Sequence, residues 1–131
     1  MAVRMELSRI LIQELDDMQV IELREVDGDR SFPIAIGLPE AMAIDRRLSG
    51  KPVPRPQTHD LLASVIKALG GELESILIRE LSEHTFFANL YIRQGEELID
   101  IDCRPSDAIA LGIANDVPIY VNESVLEAAV L

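Results

Sequence analysis

The sequence predicts an α+β fold in which a β-β-β-α unit, present twice, forms one curved, barrel-like sheet with helices outside it. Three observations lead there. The length, 131 residues, suffices for one hydrophobic core and is too short for two, so a single domain over residues 1–131 is expected. The chain also repeats itself. Met5-Glu-Leu-Ser-Arg-Ile-Leu-Ile-Gln-Glu-Leu15 lies over Gly71-Glu-Leu-Glu-Ser-Ile-Leu-Ile-Arg-Glu-Leu81, and Glu40-Ala-Met-Ala-Ile44 lies over Asp107-Ala-Ile-Ala-Leu111 with about one residue of shift. The two copies run over approximately residues 5–66 and 71–131. Finally, apolar residues make up 48% of the chain and aromatics only 4%, so the core must be built from aliphatic side chains.

The first unit opens with three β-rich runs, Leu7 to Leu15, Val20 to Glu25 and Ser31 to Ile36, with Asp27-Gly28-Asp29 supplying turn chemistry before the last. In the second unit Leu73 to Leu81, Thr85 to Arg93 and Glu97 to Cys103 follow the same plan, with Gln94-Gly95 as the turn. A helix follows each third strand. Pro39 suits a first helical position, Glu40 complements the positive end of the dipole, and Ser49-Gly50 stop the helix. Ser106 opens the corresponding helix, which ends near Asn115-Asp116. Another helix is expected from Thr58, as N-cap, to Gly70-Gly71, and Ser124 to Ala129 reads as its shorter counterpart. Between helices, Lys51-Pro-Val-Pro-Arg-Pro56 is a rigid, extended connector.

Charge and cysteine content narrow the function classes. A net charge of -11 opposes long-range attraction to nucleic acid or anionic membrane. Cys103 is the lone cysteine, which excludes an internal disulfide and a zinc ribbon. Residues 1–6 lack a signal-peptide core, and no run approaches the roughly 18 apolar residues of a membrane span. A cytoplasmic protein without membrane contact is expected.

Four groups of residues could carry chemistry. Glu40 and Asp107 hold matching positions in the two units, each in a first helical turn, where a carboxylate is also stabilising without any function. His59 and Asp60 follow Thr58; Asp60 is explained equally by the helix dipole, whereas the dipole favours a neutral His59, as a general base or metal ligand requires. Arg104 emerges at a strand end before Pro105, either as an ion-pair partner of Asp102 or Asp107 or as a fork for phosphate or carboxylate. Arg46, Arg47, Lys51 and Arg55 are four of the chain's twelve basic residues, with no acidic residue among them. They could hold phosphate locally despite the net charge, or simply be a solvated helix end and loop.

Phe32-Pro-Ile-Ala-Ile-Gly37 with Glu40-Ala-Met-Ala-Ile44, Pro54-Arg-Pro-Gln-Thr-His-Asp-Leu-Leu62, Asp102-Cys-Arg-Pro-Ser-Asp-Ala-Ile-Ala-Leu111 and Val117-Pro-Ile-Tyr-Val121, in this order and spacing, resemble the bifunctional nuclease domain family. The resemblance covers Met5 to Val125. It implies a duplicated three-strand-plus-helix fold, a homodimer with an active-site groove, and cleavage of both DNA and RNA. The family's motif positions fall here on Glu40, Arg55, Thr58, His59, Asp60, Arg104, Ser106 and Asp107. Cys103 stands where small residues are common, and the extra C-terminal segment of some relatives is not expected.

Two functions compete. In the first, a nuclease, two or more of Glu40, Asp60 and Asp107 hold Mg or Mn, His59 generates or orients hydroxide and Arg104 stabilises developing charge. Arg46, Arg47, Lys51, Arg55, Thr58 and Ser106 then bind substrate. In the second, the same fold is a non-catalytic module that binds an anion or a partner, which suits the acidity and the lack of a stringent metal motif. A purely structural oligomer leaves Arg55, His59 and Arg104 unexplained. Convergence of the polar residues in one pocket is the observation that separates these readings.

Overall fold

The structure, a computed structural model, describes residues 1–13 and 15–130; Glu14, inside the first repeat segment and its expected strand, and Leu131, at the end of the second repeat, lie outside the described residues. The chain forms strands β1 (Ala2–Leu11), β2 (Met18–Glu25) and β3 (Ser31–Gly37), helices α1 (Leu38–Ser49) and α2 (Thr58–Ala68), then strands β4 (Gly71–Ser82), β5 (Thr85–Gln94) and β6 (Glu97–Cys103). Helix α3 (Pro105–Gly112) runs into a 3-10 turn (Ile113–Asn115), and β7 (Ile119–Asn122) and α4 (Glu123–Ala129) follow. No described helix is long and apolar enough to cross a membrane.

All seven strands belong to one sheet in the order β3-β2-β1-β7-β4-β5-β6. Each half contributes an antiparallel meander, β1-β2-β3 or β4-β5-β6. Both leading hairpins shift register, between Leu7 and Arg9 in one and between Leu73 and Ser75 in the other. Such bulges bend and twist a sheet locally. The expected barrel does not close: β3 and β6 are the two edges of an open sheet, each paired on one side only.

The halves do not join directly either. Strand β7, absent from the sequence reading, lies between them, antiparallel to β1 through Met5 opposite Ile119 and parallel to β4 through Ile76 opposite Ile119. It also explains why β1 begins at Ala2 and not at Leu7, since Val3 and Met5 are drawn into pairing with Val121 and Ile119. The other end of β1 is cut short by Gln19. This amide is buried at 1% exposure, where it donates to the carbonyls of Gln13 (2.8 Å) and Asp16 (2.7 Å) and accepts from the Gln13 N–H. Satisfied by a side chain, that backbone needs no strand partner.

The core is aliphatic, as composition requires, and centres on Ile21, Leu23, Ile44, Ile76, Ile78, Ile109, Leu111, Val121 and Leu126. Two of the few aromatic rings, Phe32 and Phe86, stack at 5.6 Å within or against it. Helix α3 is so deeply set that Asp107 is its one residue outside the buried class. Its last residue must be small, because a Cβ on Gly112 would stand 2.9 Å from the Val117 Cβ. Helix α2 is the opposite case, with no buried residue at all. Leu61, Val65 and Leu69, spaced four apart, and Leu62 beside them face solvent.

Candidate functional site

Helices α1 and α3 start in the same way. Each has a proline in its first two positions and an acidic residue third, Glu40 in α1 and Asp107 in α3. The Glu40 side chain folds back over the preceding turn, where a Cβ on Gly37 would lie 2.5 Å from its Oε1. Arg104, the residue before α3, reaches both carboxylates: its Nε donates to Asp107 Oδ2 at 2.8 Å, and its Nη1 stands 3.6 Å from Glu40 Oε1. The guanidinium is the exposed member of this group, at 64%, while Glu40 and Asp107 are at 20% and 33%.

His59 comes from the first turn of α2, and its Nε2 lies 3.1 Å from Asp107 Oδ1. Burial pushes the Asp107 carboxyl up, but the bonds from Arg104 and His59 outweigh it and hold the group below the usual range. An ionised carboxylate can only accept, so Nε2 carries the proton in the neutral imidazole and Nδ1 keeps its lone pair. A carboxylate-oriented imidazole with a free basic nitrogen is the arrangement of a general base.

These four residues line one cavity of about 990 Å³ between α1, α2, α3 and the sheet. Lys51, Thr58 and Arg46 also line it, as do Met42, Leu62, Ile66, Leu90, Ile92 and Ile101. Cys103 is at the wall too; burial, reinforced by the charges of Asp102 and Asp107, pushes its thiol up to about 11. Sequence reasoning missed this apolar lining, although β5 and β6 place Leu90 directly opposite Ile101.

The remaining expected site residues are placed differently. Asp60 accepts from Arg46 at 2.7 Å, from Arg47, and from the Gln57 backbone N–H at 2.9 Å. These bonds, Arg46 first, hold its carboxyl down at about 2. Asp60 therefore completes a capping box whose N-cap is Gln57, not the expected Thr58, which is the first helical residue. Arg47 is buried, at 8% exposure, and donates to the carbonyls of Ala110 (2.6 Å) and Leu111 (3.0 Å) at the end of α3. Asp60, Arg46 and Arg47 thus clamp three helix termini together, so that of the expected basic run only Lys51 and Arg55 are without an ion pair among the described residues. Ser106 is buried, at 5% exposure, and is not among the cavity walls, so its expected contact with substrate has no surface to occur on. Arg55 is exposed in the connector, outside the cavity.

Of the carboxylates expected to hold a metal, Asp60 is engaged by two guanidiniums and stands apart from Glu40 and Asp107. Among the described residues no group of three His, Cys, Asp or Glu side chains could hold an ion. What persists is the pair Glu40 and Asp107, bridged by Arg104.

The profile of the bifunctional nuclease domain matches residues 20–131. The chain belongs to the bifunctional nuclease domain family. An uncharacterized protein of Mycobacterium tuberculosis (strain ATCC 25618 / H37Rv) is 43% identical over 120 residues, covering 92% of this chain and 71% of that protein. Bifunctional nuclease 1 of Oryza sativa subsp. indica is 28% identical over 109 residues, 80% of this chain but 33% of the rice protein. Bifunctional nuclease 2 of Oryza sativa subsp. japonica is 27% identical over 117 residues, again only 36% of its length. The bifunctional nuclease domain is therefore the shared part, and the plant proteins extend well beyond it. Within the domain as folded here, Glu40, His59, Arg104 and Asp107 meet at one cavity.

Proposed function

We propose that this chain is a hydrolase of phosphodiester bonds in DNA and RNA with little sequence selectivity. The observation that carries the reading is the meeting of His59, Asp107, Arg104 and Glu40, from three helix starts, at the edge of one cavity. The names of the plant relatives support it. In this reading Nδ1 of His59 takes the proton from an attacking water, and Asp107, bonded to Nε2, stabilises the imidazolium that forms. Arg104 turns from its carboxylates to the phosphate, where charge develops in the transition state. Glu40 keeps the guanidinium at that end of the cavity.

Mg or Mn belongs to the proposal in a reduced form. Magnesium is commonly held by one or two carboxylates together with substrate phosphates, and not in an all-protein cage. Glu40 and Asp107 fit that role; Asp60 does not. The ion, when bound with substrate, would neutralise phosphate charge, which an acidic chain needs if it is to meet a polyanion.

Three further features belong to the same reading. The shared proline-and-acid helix starts, together with bulges at Leu7/Arg9 and Leu73/Ser75 that fall on matching positions of the sequence repeat, support an ancestral duplication. The exposed stripe Leu61, Val65 and Leu69 supports a homodimer through α2. A cytoplasmic setting suits the single unpaired thiol.

The test is a chelator-controlled cleavage assay with single-stranded DNA and RNA, run on wild type and His59→Ala purified identically. Metal-dependent cleavage lost in His59→Ala is the expected result. Equal residual cleavage in both proteins would mean a contaminating nuclease and would favour the anion-binding module, which the lack of a three-donor metal cluster among the described residues already suits.

A further inference from the structure

The cavity has two chemically unlike parts. Glu40, His59, Arg104 and Asp107 supply one part of its lining, and the aliphatic side chains of Met42, Leu62, Ile66, Leu90, Ile92 and Ile101 supply the other, here called its floor. Leu90 and Ile101 face one another across the β5–β6 ladder, so that side of the floor is the sheet, while Met42 comes from α1 and Leu62 and Ile66 from α2. Its outer rim is accessible, with Met42 and Ile101 at 45% and 43% exposure. The cavity, about 990 Å³, lies in the upper range of small-molecule sites. No Phe, Tyr or Trp contributes to its lining.

The charges around it are just as specific. Of the Lys and Arg side chains that line the cavity, Arg46 is paired with Asp60 and Arg104 with Asp107 and Glu40, while Lys51 makes no ion pair among the described residues. A duplex is normally held by a track of cations that each neutralise a phosphate. No such track borders this cavity. A nucleic acid that reaches Arg104 therefore finds few phosphate contacts and must draw much of its affinity from its apolar part, which is the base.

We propose that the aliphatic floor is a nucleobase pocket and that the substrates of this site are unpaired nucleotides in single strands or frayed ends. This rests on the hydrolase reading for the identity of the ligand. The base lies against Leu62, Leu90 and Ile101 while its phosphate meets Arg104. A base in a duplex must first leave its stack to enter, so duplex DNA is a poor substrate. Contact through aliphatic faces reads no base edge, so all four bases are accepted. With one or two phosphates neutralised, the salt dependence of binding is shallow, with a log–log slope no steeper than about -1.5.

The experiment is calorimetric titration of wild type with adenosine 5′-monophosphate and with ribose 5-phosphate, which shares the phosphate and lacks the base. The nucleotide should bind at least about tenfold more tightly. Ile101→Gln and Met42→Gln, both at exposed positions, should bring that ratio down toward one, with ribose 5-phosphate binding and the thermal melt little changed. Equal affinity of the two ligands in wild type, or no binding of either at millimolar concentration, overturns the pocket whether or not the variants fold. Cleavage of matched single-stranded and duplex oligonucleotides separates this inference from the reading beneath it. Nucleotide preference without cleavage keeps the base pocket and removes the hydrolase; cleavage with equal KM for single strand and duplex keeps the hydrolase and removes the pocket.

Discussion

Asp107 and His59 are 48 positions apart in the chain and 3.1 Å apart in space, and the contact decides which ring nitrogen of His59 is free to act. Asp107→Asn removes the charge that fixes the tautomer and stabilises the imidazolium. The expected outcome is a fall in kcat of about 100-fold or more, with KM changed only a few-fold and the circular dichroism melt little moved. An Asp107 that serves only the helix start would instead lower the melt and leave activity per folded molecule unchanged.

The Asp60 clamp makes a prediction about acid stability. Its carboxyl is held at about 2, against an ordinary 3.8, by Arg46 and by the Gln57 N–H, with Arg47 adding to them. A group whose folded value is depressed contributes stability that is complete above its unfolded value and lost as pH falls through the folded one. Asp60→Asn should therefore cost roughly 2–4 kcal/mol near neutrality, because it leaves the buried Arg47 guanidinium short of its counter-charge. The gap from wild type should narrow between about pH 4 and pH 2. Urea unfolding at three pH values measures it, and a gap that does not change with pH would refute the assignment.

The α2 stripe predicts self-association. Leu61→Glu with Val65→Glu changes two exposed positions on one helix face and removes no core contact. Light scattering should show the mass of the wild type falling by about half in the double variant, with the melt of the isolated fold retained. A wild type that is already monomeric at micromolar concentration would rule out the α2 interface.

Cys103 should be a slow thiol. With its group pushed up to about 11 by burial and by two neighbouring carboxylates, almost none is thiolate near neutrality. Iodoacetamide at about pH 7.5 should label the native protein far more slowly than the urea-unfolded chain, as read by mass spectrometry. Comparable rates would mean that the thiol is more open than the cavity wall suggests.

Much of the fold was legible because its signals are local. Period-two runs fixed β2 to β6 to within two residues, and Pro39, Gly50 and Pro105 marked helix ends that depend on backbone chemistry alone. What escaped depends on partners far along the chain. Ile119-Tyr-Val-Asn122 is too short to announce a strand, and it is one only because Met5 and Ile76 flank it. The sequence placed Asp60 and Arg47 at helix ends but could not say that they would meet each other, so residues with the right chemistry for a site turned out to be a clamp. His59, Arg104, Glu40 and Asp107 were legible as candidates one by one. Their convergence was not, since it needs α1, α2 and α3 to start from one side of the sheet.

The position of β7 also imposes an order of events during synthesis. Residues 119–122 are made after every other described strand, yet within the sheet they are what joins the first meander to the second. Until they emerge from the ribosome, β1 and β4 each present an unpaired edge, open to mispairing with each other or with another nascent chain. The N-terminal half therefore waits, hydrogen-bonded on one side only, for a four-residue latch that is made after both meanders. Its closure fixes both meanders at once, and with them the relative placing of the two helix starts on which Glu40 and Asp107 sit.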